Sequence, residues 1–303
     1  MNAHRGALRI LLTILPRNAL SRGAGWLASI PLPGPIQRAE IRLFARLAGV
    51  DLSEAAEPIE AYRTVNDFFT RRLRAGVRPL AAAEDALVSP CDGAWGQSGR
   101  VEGGTLLQIK GRAYRVADLL CDAEMADRYE GGHYATFYLS PRDYHRFHTP
   151  AAGTIRRIDH CPGSLWPVNA IGLQGVDRLF ARNERLCAYL ELLLPPDGES
   201  PPTLAMVAVG AMMVGSVRLS FDPLRTNVPG ARLQRRELGR EGPRFARGEE
   251  WGHFRFGSTI VLLTPPGAIE PEFRPSGHPV RLGERIGRIR GQGDAAPASI
   301  GEA

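Results

Sequence analysis

Lysine is almost missing from this chain. Lys110 is the only one among 38 basic residues, so the positive charge is carried by arginine. A carrier domain that attaches its cofactor to a lysine at an exposed hairpin tip has a single position to use. Cysteine is scarce as well: Cys91, Cys121, Cys161 and Cys187 are widely spaced, with no CxxC pair. That spacing argues against a disulfide framework or a zinc ribbon and suits a reducing compartment with idle thiols. No stretch reaches the roughly 18 to 20 apolar residues of a spanning helix, and Arg9 breaks the first apolar run early. A cleavable secretion signal is not expected, because Pro16-Arg17 stands where a small-residue cleavage site would be needed.

What is present is the composition of a globular chain, with 44% hydrophobic and 23% charged residues. This excludes disorder, collagen-like repeats and a multi-span membrane protein. A chain of 303 residues makes one large domain or two ordinary ones and buries about 70–75% of its unfolded surface. The net charge of +6 suits nucleic acid, an anionic membrane or an acidic small substrate, and does not choose among them.

The first 65 residues differ from the rest, with seven arginines and one acid before residue 50. Leu8, Leu11, Leu12 and Leu15 recur at helical spacing with Arg5 and Arg9 opposite, and Pro16 is expected to end that run. Trp26, Leu27 and Ile30 form a second apolar stretch. Leu43, Phe44 and Leu47 form a third, beside Arg38, Arg42 and Arg46. Such helices lie flat on an anionic bilayer or pack on the domain that follows. From about residue 86 the texture becomes short apolar runs between Gly and Pro, with strands expected at 135–139, 186–194, 204–209 and 259–263. Residues 89–94 and 149–154 share a Pro-x-x-Gly turn pattern leading into a strand, which hints at duplicated β units. The fold class expected is α+β: a β-rich domain over 66–303, a sandwich or partly closed barrel, preceded by amphipathic helices within 1–65. Residues 221–250 read as a long hairpin or mobile loop.

Two segments carry chemistry. In Ser140-Pro141-Arg142-Asp143-Tyr144-His145-Arg146-Phe147-His148, the Ser, Pro and Asp fit a helix start. One helical turn would place His145 and His148 on one side, whereas a strand would send them to opposite faces. They could equally be hydrogen-bonded structural histidines, and no third ligand at a recognisable spacing suggests a metal. The second segment, Gly248 to Thr259, contains Gly257-Ser258, where the absence of a Cβ lets a serine hydroxyl approach its own preceding carbonyl. His253 would face away from Ser258 in an extended chain. Asp92, one of the two histidines and Ser258 could form an Asp-His-Ser arrangement.

At these residues the chain resembles the phosphatidylserine decarboxylases, most like the bacterial and mitochondrial membrane-associated type. The resemblance is carried by Phe68-Phe69-Thr70-Arg71-Arg72-Leu73, Ser89-Pro90-Cys91-Asp92-Gly93, Gln108-Ile109-Lys110-Gly111 and Tyr138 to His148. It continues through Pro167-Val168-Asn169, Phe180 to Arg185, Val209-Gly210-Ala211, Val214-Gly215-Ser216 and Phe256-Gly257-Ser258-Thr259. The family usually has Leu where this chain has Phe256, and a small or apolar residue where it has Cys91.

The resemblance implies a proenzyme that cuts itself between Gly257 and Ser258, leaving β and α chains and turning Ser258 into a covalent pyruvoyl cofactor. It implies that His148 activates Ser258, that Asp92 fixes the tautomer of His148, and that His145 serves the later decarboxylation. The pyruvoyl would form a Schiff base with phosphatidylserine and release CO2 to give phosphatidylethanolamine. A homodimer at the cytoplasmic face of a bacterial inner membrane is implied too, with phosphatidylserine and an anionic membrane surface as partners and no role for nucleic acid or metal. The rivals are a Ser-His-Asp hydrolase with an intact Ser258 and a non-catalytic β carrier. Chain integrity separates the first from a decarboxylase, which releases 46 residues from Ser258 to Ala303.

Overall fold

The computed structural model describes residues 16–108, 112–168, 170–193, 201–212, 216–255 and 259–290. Its centre is an antiparallel sheet. In spatial order the strands are Gln234–Glu237, Gly153–Cys161, Arg185–Leu192, Thr203–Val209, Thr259–Thr264, His133–Tyr138, Gly93–Arg100 and Pro279–Val280, and Arg244–Phe245 also pairs with Gly153–Cys161. Every residue of the central strand Thr259–Thr264 is buried. Because side chains alternate along a strand, Ile260 and Leu262 enter one core and Val261 and Leu263 the other. Burying each such side chain contributes about 1.5–3 kcal/mol before entropy is counted, so this strand fixes the sheet in the middle of the fold.

Two three-stranded sheets cover one face. The first joins Arg146–His148, Glu250–Arg255 and Ser216–Leu219; the second joins Ala86–Val88, Arg285–Ile289 and Ile269–Pro271. Phe147, Val217, Trp251 and Phe254 from the first meet Leu186, Ala208 and Ile260 of the large sheet. The opposite face is covered by the hairpin Thr105–Gln108 and Arg112–Arg115 and by short helices at Val116–Leu120 and Leu179–Arg182, whose Leu106, Tyr114, Leu119 and Phe180 pack on Tyr189, Val207 and Val261. The fold is therefore α+β and strand-rich. The large sheet runs from edge to edge without closing, so there is no closed barrel among the described residues. The stretch 221–250, expected as a hairpin or mobile loop, instead supplies two short strands that pair along Gly153–Cys161. The two matching turns at 89–94 and 149–154 lead into Gly93–Arg100 and Gly153–Cys161 of the same sheet.

Two helices precede this body, Arg17–Leu27 and Gly34–Ala48. The run from Leu8 to Leu15, and with it the expectation that Pro16 ends that run, lies outside the described residues; on its other side Pro16 precedes the helix Arg17–Leu27, its carbonyl accepting from Leu20 N. Gly49 stops the second helix at φ +77°, a left-handed conformation that glycine adopts without a Cβ clash. Ile41 and Ala45 pack with Val50, Val65 and Phe68, whereas Ile36, Leu43 and Leu47 are exposed. The first helix is tied to the β-rich body: Arg17 Nε donates to Ser164 Oγ at 3.1 Å, and its guanidinium lies 3.7 Å from the Trp166 ring centre. No helix among the described residues is long and apolar enough to cross a membrane. All four cysteines are unpaired, and three are buried.

Candidate active site

Asp92 sits in a turn that its neighbours specify closely. The Ser89 hydroxyl donates to the Cys91 carbonyl at 2.8 Å, and a Cβ on Gly93 would strike the carbonyl of Tyr138. The Asp92 carboxylate is buried and fully engaged. Arg78 Nε donates to Oδ1 at 2.9 Å, an Arg78 terminal nitrogen donates to Oδ2 at 2.6 Å, and Leu282 N donates to Oδ1 at 2.8 Å. Arg78 also binds Glu54 at 2.7 and 3.0 Å, which holds the Glu54 carboxyl below the usual carboxylate range.

The segment from Ser140 to His148 forms a turn and a strand, not the helical turn its residues suggest. Asp143 N donates to Ser140 O at 2.9 Å, while the Ser140 amide and hydroxyl both donate to Asp143 Oδ2 at 2.7 Å. With both Ser140 groups spent on Asp143, no helix start is capped, and the chain extends into Arg146–His148. The odd spacing therefore separates the two histidines into different surroundings.

His145 is fully buried against Phe69, ring centres 3.9 Å apart. Its Nδ1–H donates to the Asp143 carbonyl at 2.8 Å, which leaves Nε2 as a bare acceptor with no partner among the described residues. Burial and the nearby Arg71 guanidinium pull its pKa down to about 3, so the ring is neutral at pH 7. Arg71 is itself buried, donating to the carbonyls of Arg142 and Asp143 at 3.2 and 3.4 Å, with Nε and one terminal nitrogen unpartnered among the described residues.

His148 lies against the Asp92 turn, its amide donating to the Pro90 carbonyl at 2.7 Å. Nδ1–H donates to the carbonyl of Gly248 at 2.9 Å, and the Tyr144 hydroxyl donates to Nε2 at 3.3 Å. Since a carbonyl only accepts, the proton is on Nδ1 and the lone pair on Nε2. Burial lowers the pKa of this ring, offset in part by the Gly248 carbonyl and by the charges of Glu250 and Asp92. The tautomer of His148 is fixed by Gly248, and the oxygens of Asp92 accept from Arg78 and Leu282 rather than from His148. Gly248 adopts φ +77°, and a Cβ there would come within 2.6 Å of Leu80 Cδ2.

Gly257 and Ser258 lie outside the described residues, as does Lys110. Their flanks are described. Arg255 ends a strand of the small sheet opposite Ser216, and Thr259 begins the central strand of the large sheet between Tyr138 and Val209. Phe254 N donates to the His145 carbonyl at 2.9 Å, tying that histidine to the strand that leads toward Ser258. His253 pairs instead with Arg146 and Arg218, and burial with these cations brings its pKa to about 4. Among the described residues no three His, Cys, Asp or Glu side chains gather as a metal site. Reading the sequence missed Arg78, which falls in no quoted motif, and the Gly248 carbonyl, whose role a backbone atom does not advertise. Phe69 and Arg71 stood in a quoted motif without a role.

Residues 65–288 match the family model described as phosphatidylserine decarboxylase. Similar curated relatives include a phosphatidylserine decarboxylase proenzyme of Anaeromyxobacter sp. (strain K), 45% identical over 280 residues, covering 91% of this chain and 96% of the relative. A proenzyme of the same description from Acidovorax ebreus (strain TPSY) is 46% identical over 282 residues, 90% of this chain and 94% of its own. A third, from Brevibacillus brevis, is 41% identical over 261 residues, 86% and 89% of the two chains.

Proposed function

The chain belongs to the phosphatidylserine decarboxylase family, and from that premise we propose how its own residues mature and run the site. It is a decarboxylase proenzyme that converts phosphatidylserine to phosphatidylethanolamine and CO2. Family membership carries this reading, joined by one observation: a neutral His148 anchored through Nδ1, with its Nε2 lone pair available as a base.

In the proposed maturation, His148 Nε2 takes the proton of the Ser258 hydroxyl as its oxygen attacks the Gly257 carbonyl. The acyl group moves from nitrogen to oxygen, giving an ester. Loss of the α proton of residue 258 then expels the Gly257 carboxylate and leaves a dehydroalanine, which tautomerises and is hydrolysed to a pyruvoyl group with release of ammonia. Asp92, fixed by Arg78, supplies negative potential that favours the transient imidazolium.

The described residues fit such a group. A ketoamide offers two carbonyl oxygens that accept hydrogen bonds, and the buried Arg71 beside His145 has donors uncommitted among the described residues. When formed, the pyruvoyl carbonyl supplies an electron sink for the pair left as CO2 departs. Through its bare Nε2, His145 accepts from and orients the amine hydrogens of the substrate, and Arg71 keeps the surroundings positive.

Residues 1–65 are proposed as the membrane-associating region and 66–303 as the catalytic domain. Trp26 and Leu47 are 67% and 78% exposed, and Leu27, Ile36 and Leu43 are exposed with them. This supports peripheral docking on an anionic surface, proposed as the cytoplasmic face of the inner membrane. The homodimer is part of the same proposal. Intact-mass measurement of purified protein, with and without borohydride, tests the central claim. The expected result is two chains, the smaller running from residue 258 with a blocked, reducible first residue, and a single uncut chain for Ser258→Ala. A wild-type chain that releases CO2 while uncut overturns it.

A further inference from the structure

The small sheet Arg146–His148, Glu250–Arg255 and Ser216–Leu219 has two unlike faces. Val217, Leu219 and Phe254 enter the core. Alternation then places Ser216 and Arg218, with their cross-strand partners Arg255 and His253, on the other face. Over part of this face the helix Arg17–Leu27 and the loop from Arg225 enclose a cavity of about 370 Å³, lined by Arg22, Arg218, Arg225, Arg255, Ser216 and Trp26 among others.

Four guanidinium groups therefore share one cavity. None of them forms an ion pair with a carboxylate among the described residues; Arg22 reaches only the Asn227 side-chain oxygen, at 3.4 Å. Asp67 favours the charge of Arg255 without pairing with it. The Nε atoms of Arg218 and Arg255 are buried and unpartnered among the described residues. Both pKa values are lowered, first by burial and then by neighbouring arginines. Clustered like charges with unused donors are unfavourable unless an anion joins them, and the planar forks of arginine match phosphate oxygens.

We propose that this cavity receives the phosphodiester of the phospholipid substrate, with Arg218 and Arg255 on its oxygens and Arg22 and Arg225 at the rim. The proposal rests on the decarboxylase reading and deepens it. Two placements favour a substrate headgroup over an unrelated anion. Arg255 stands three residues before Ser258, and its neighbour Phe254 is hydrogen-bonded to His145. The exposed Trp26 lines the same cavity, and tryptophan is a side chain that settles at headgroup level in a bilayer.

The test uses dihexanoyl phosphatidylserine as a monomer in solution, so that membrane recruitment plays no part. Arg218→Gln and the rim pair Arg22→Gln/Arg225→Gln should each self-cleave fully by mass. Each should raise KM about tenfold or more, with kcat within about twofold, since a charge-assisted hydrogen bond contributes that much to binding. Added inorganic phosphate should compete with substrate on the wild type and lose its effect in the variants. The rim residues are exposed, so their variants keep the test open if Arg218→Gln misfolds. An unchanged KM in fully cleaved rim variants overturns the proposal, as does phosphate that acts without competing, which would make the cavity a regulatory anion site. A wild-type protein that neither cuts itself nor releases CO2 is a different failure, of the decarboxylase reading itself.

Discussion

Arg78 grips Asp92 along one edge of its guanidinium, Nε to Oδ1 at 2.9 Å and a terminal nitrogen to Oδ2 at 2.6 Å, while the remaining edge holds Glu54. Asp92 is thereby fixed beside the strand that carries His148, although the two side chains share no hydrogen bond. Replacing Arg78 by Met leaves two largely buried carboxylates facing each other. Removing one partner of a buried pair costs about 3–5 kcal/mol. Arg78→Met should lose stability on that scale in urea unfolding. Arg78→Lys, a point charge that cannot fork, should recover only part of it.

His148→Asn separates the two jobs of the imidazole. An asparagine amide can still donate to the Gly248 carbonyl, but it has no basic nitrogen in the place of Nε2. The variant is expected to fold with wild-type secondary structure and to stay uncut on a gel over hours. Tyr144→Phe removes only the 3.3 Å donor to Nε2 and should cut within about threefold of the wild-type rate, because Gly248 sets the tautomer. If Tyr144→Phe stalls as fully as His148→Asn, the tautomer assignment is wrong.

The strands were legible because they are buried. Leu204 to Val209 and Thr259 to Leu263 are continuous apolar runs, as a sheet covered on both faces requires, and the structure places both in its centre. The non-helical turn at Ser140 was not legible, because the same Ser-x-x-Asp pattern that starts a helix also closes a turn when the hydroxyl bonds to the carboxylate. Of the site, the histidines and Asp92 were visible as chemical types. Arg78 and the Gly248 carbonyl were not: 14 residues separate Arg78 from Asp92 and 100 separate Gly248 from His148. Only folding brings them together.

One buried and one half-buried histidine make the fold acid-sensitive in a stated window. Burial with Arg71 sets His145 at about 3, and burial with Arg146, Arg255 and Arg218 sets His253 at about 4. In the unfolded chain both titrate near about 6.5. Above that pH neither state binds the protons. Below it the unfolded chain takes them up and the folded chain does not, so stability falls as pH falls from about 6.5 toward 4, by up to about 1.4 kcal/mol per pH unit for each histidine. Glu54 adds to this only below about 4.3, where its unfolded form protonates first. Urea unfolding of the uncut Ser258→Ala chain at several pH values measures the slope. His253→Gln should make it shallower, and an unchanged slope would place that ring in water.

The exposed apolar residues of the first two helices give the last expectation. Trp26 and Leu27 close the helix Arg17–Leu27, and Leu43 and Leu47 lie four residues apart on Gly34–Ala48, which puts them on one face. Burying even part of a leucine side chain in the headgroup region contributes of the order of 1 kcal/mol or more. Leu43→Gln/Leu47→Gln should therefore weaken sedimentation with phosphatidylglycerol vesicles by about tenfold or more. Self-cleavage should be intact, since neither residue belongs to the buried cluster of Ile41, Ala45 and Phe68. Raised salt should weaken binding of wild type and variant alike, because the arginines act through a field that ions screen within about 8–10 Å. Equal sedimentation of wild type and double variant at low salt would mean that these leucines face something other than lipid.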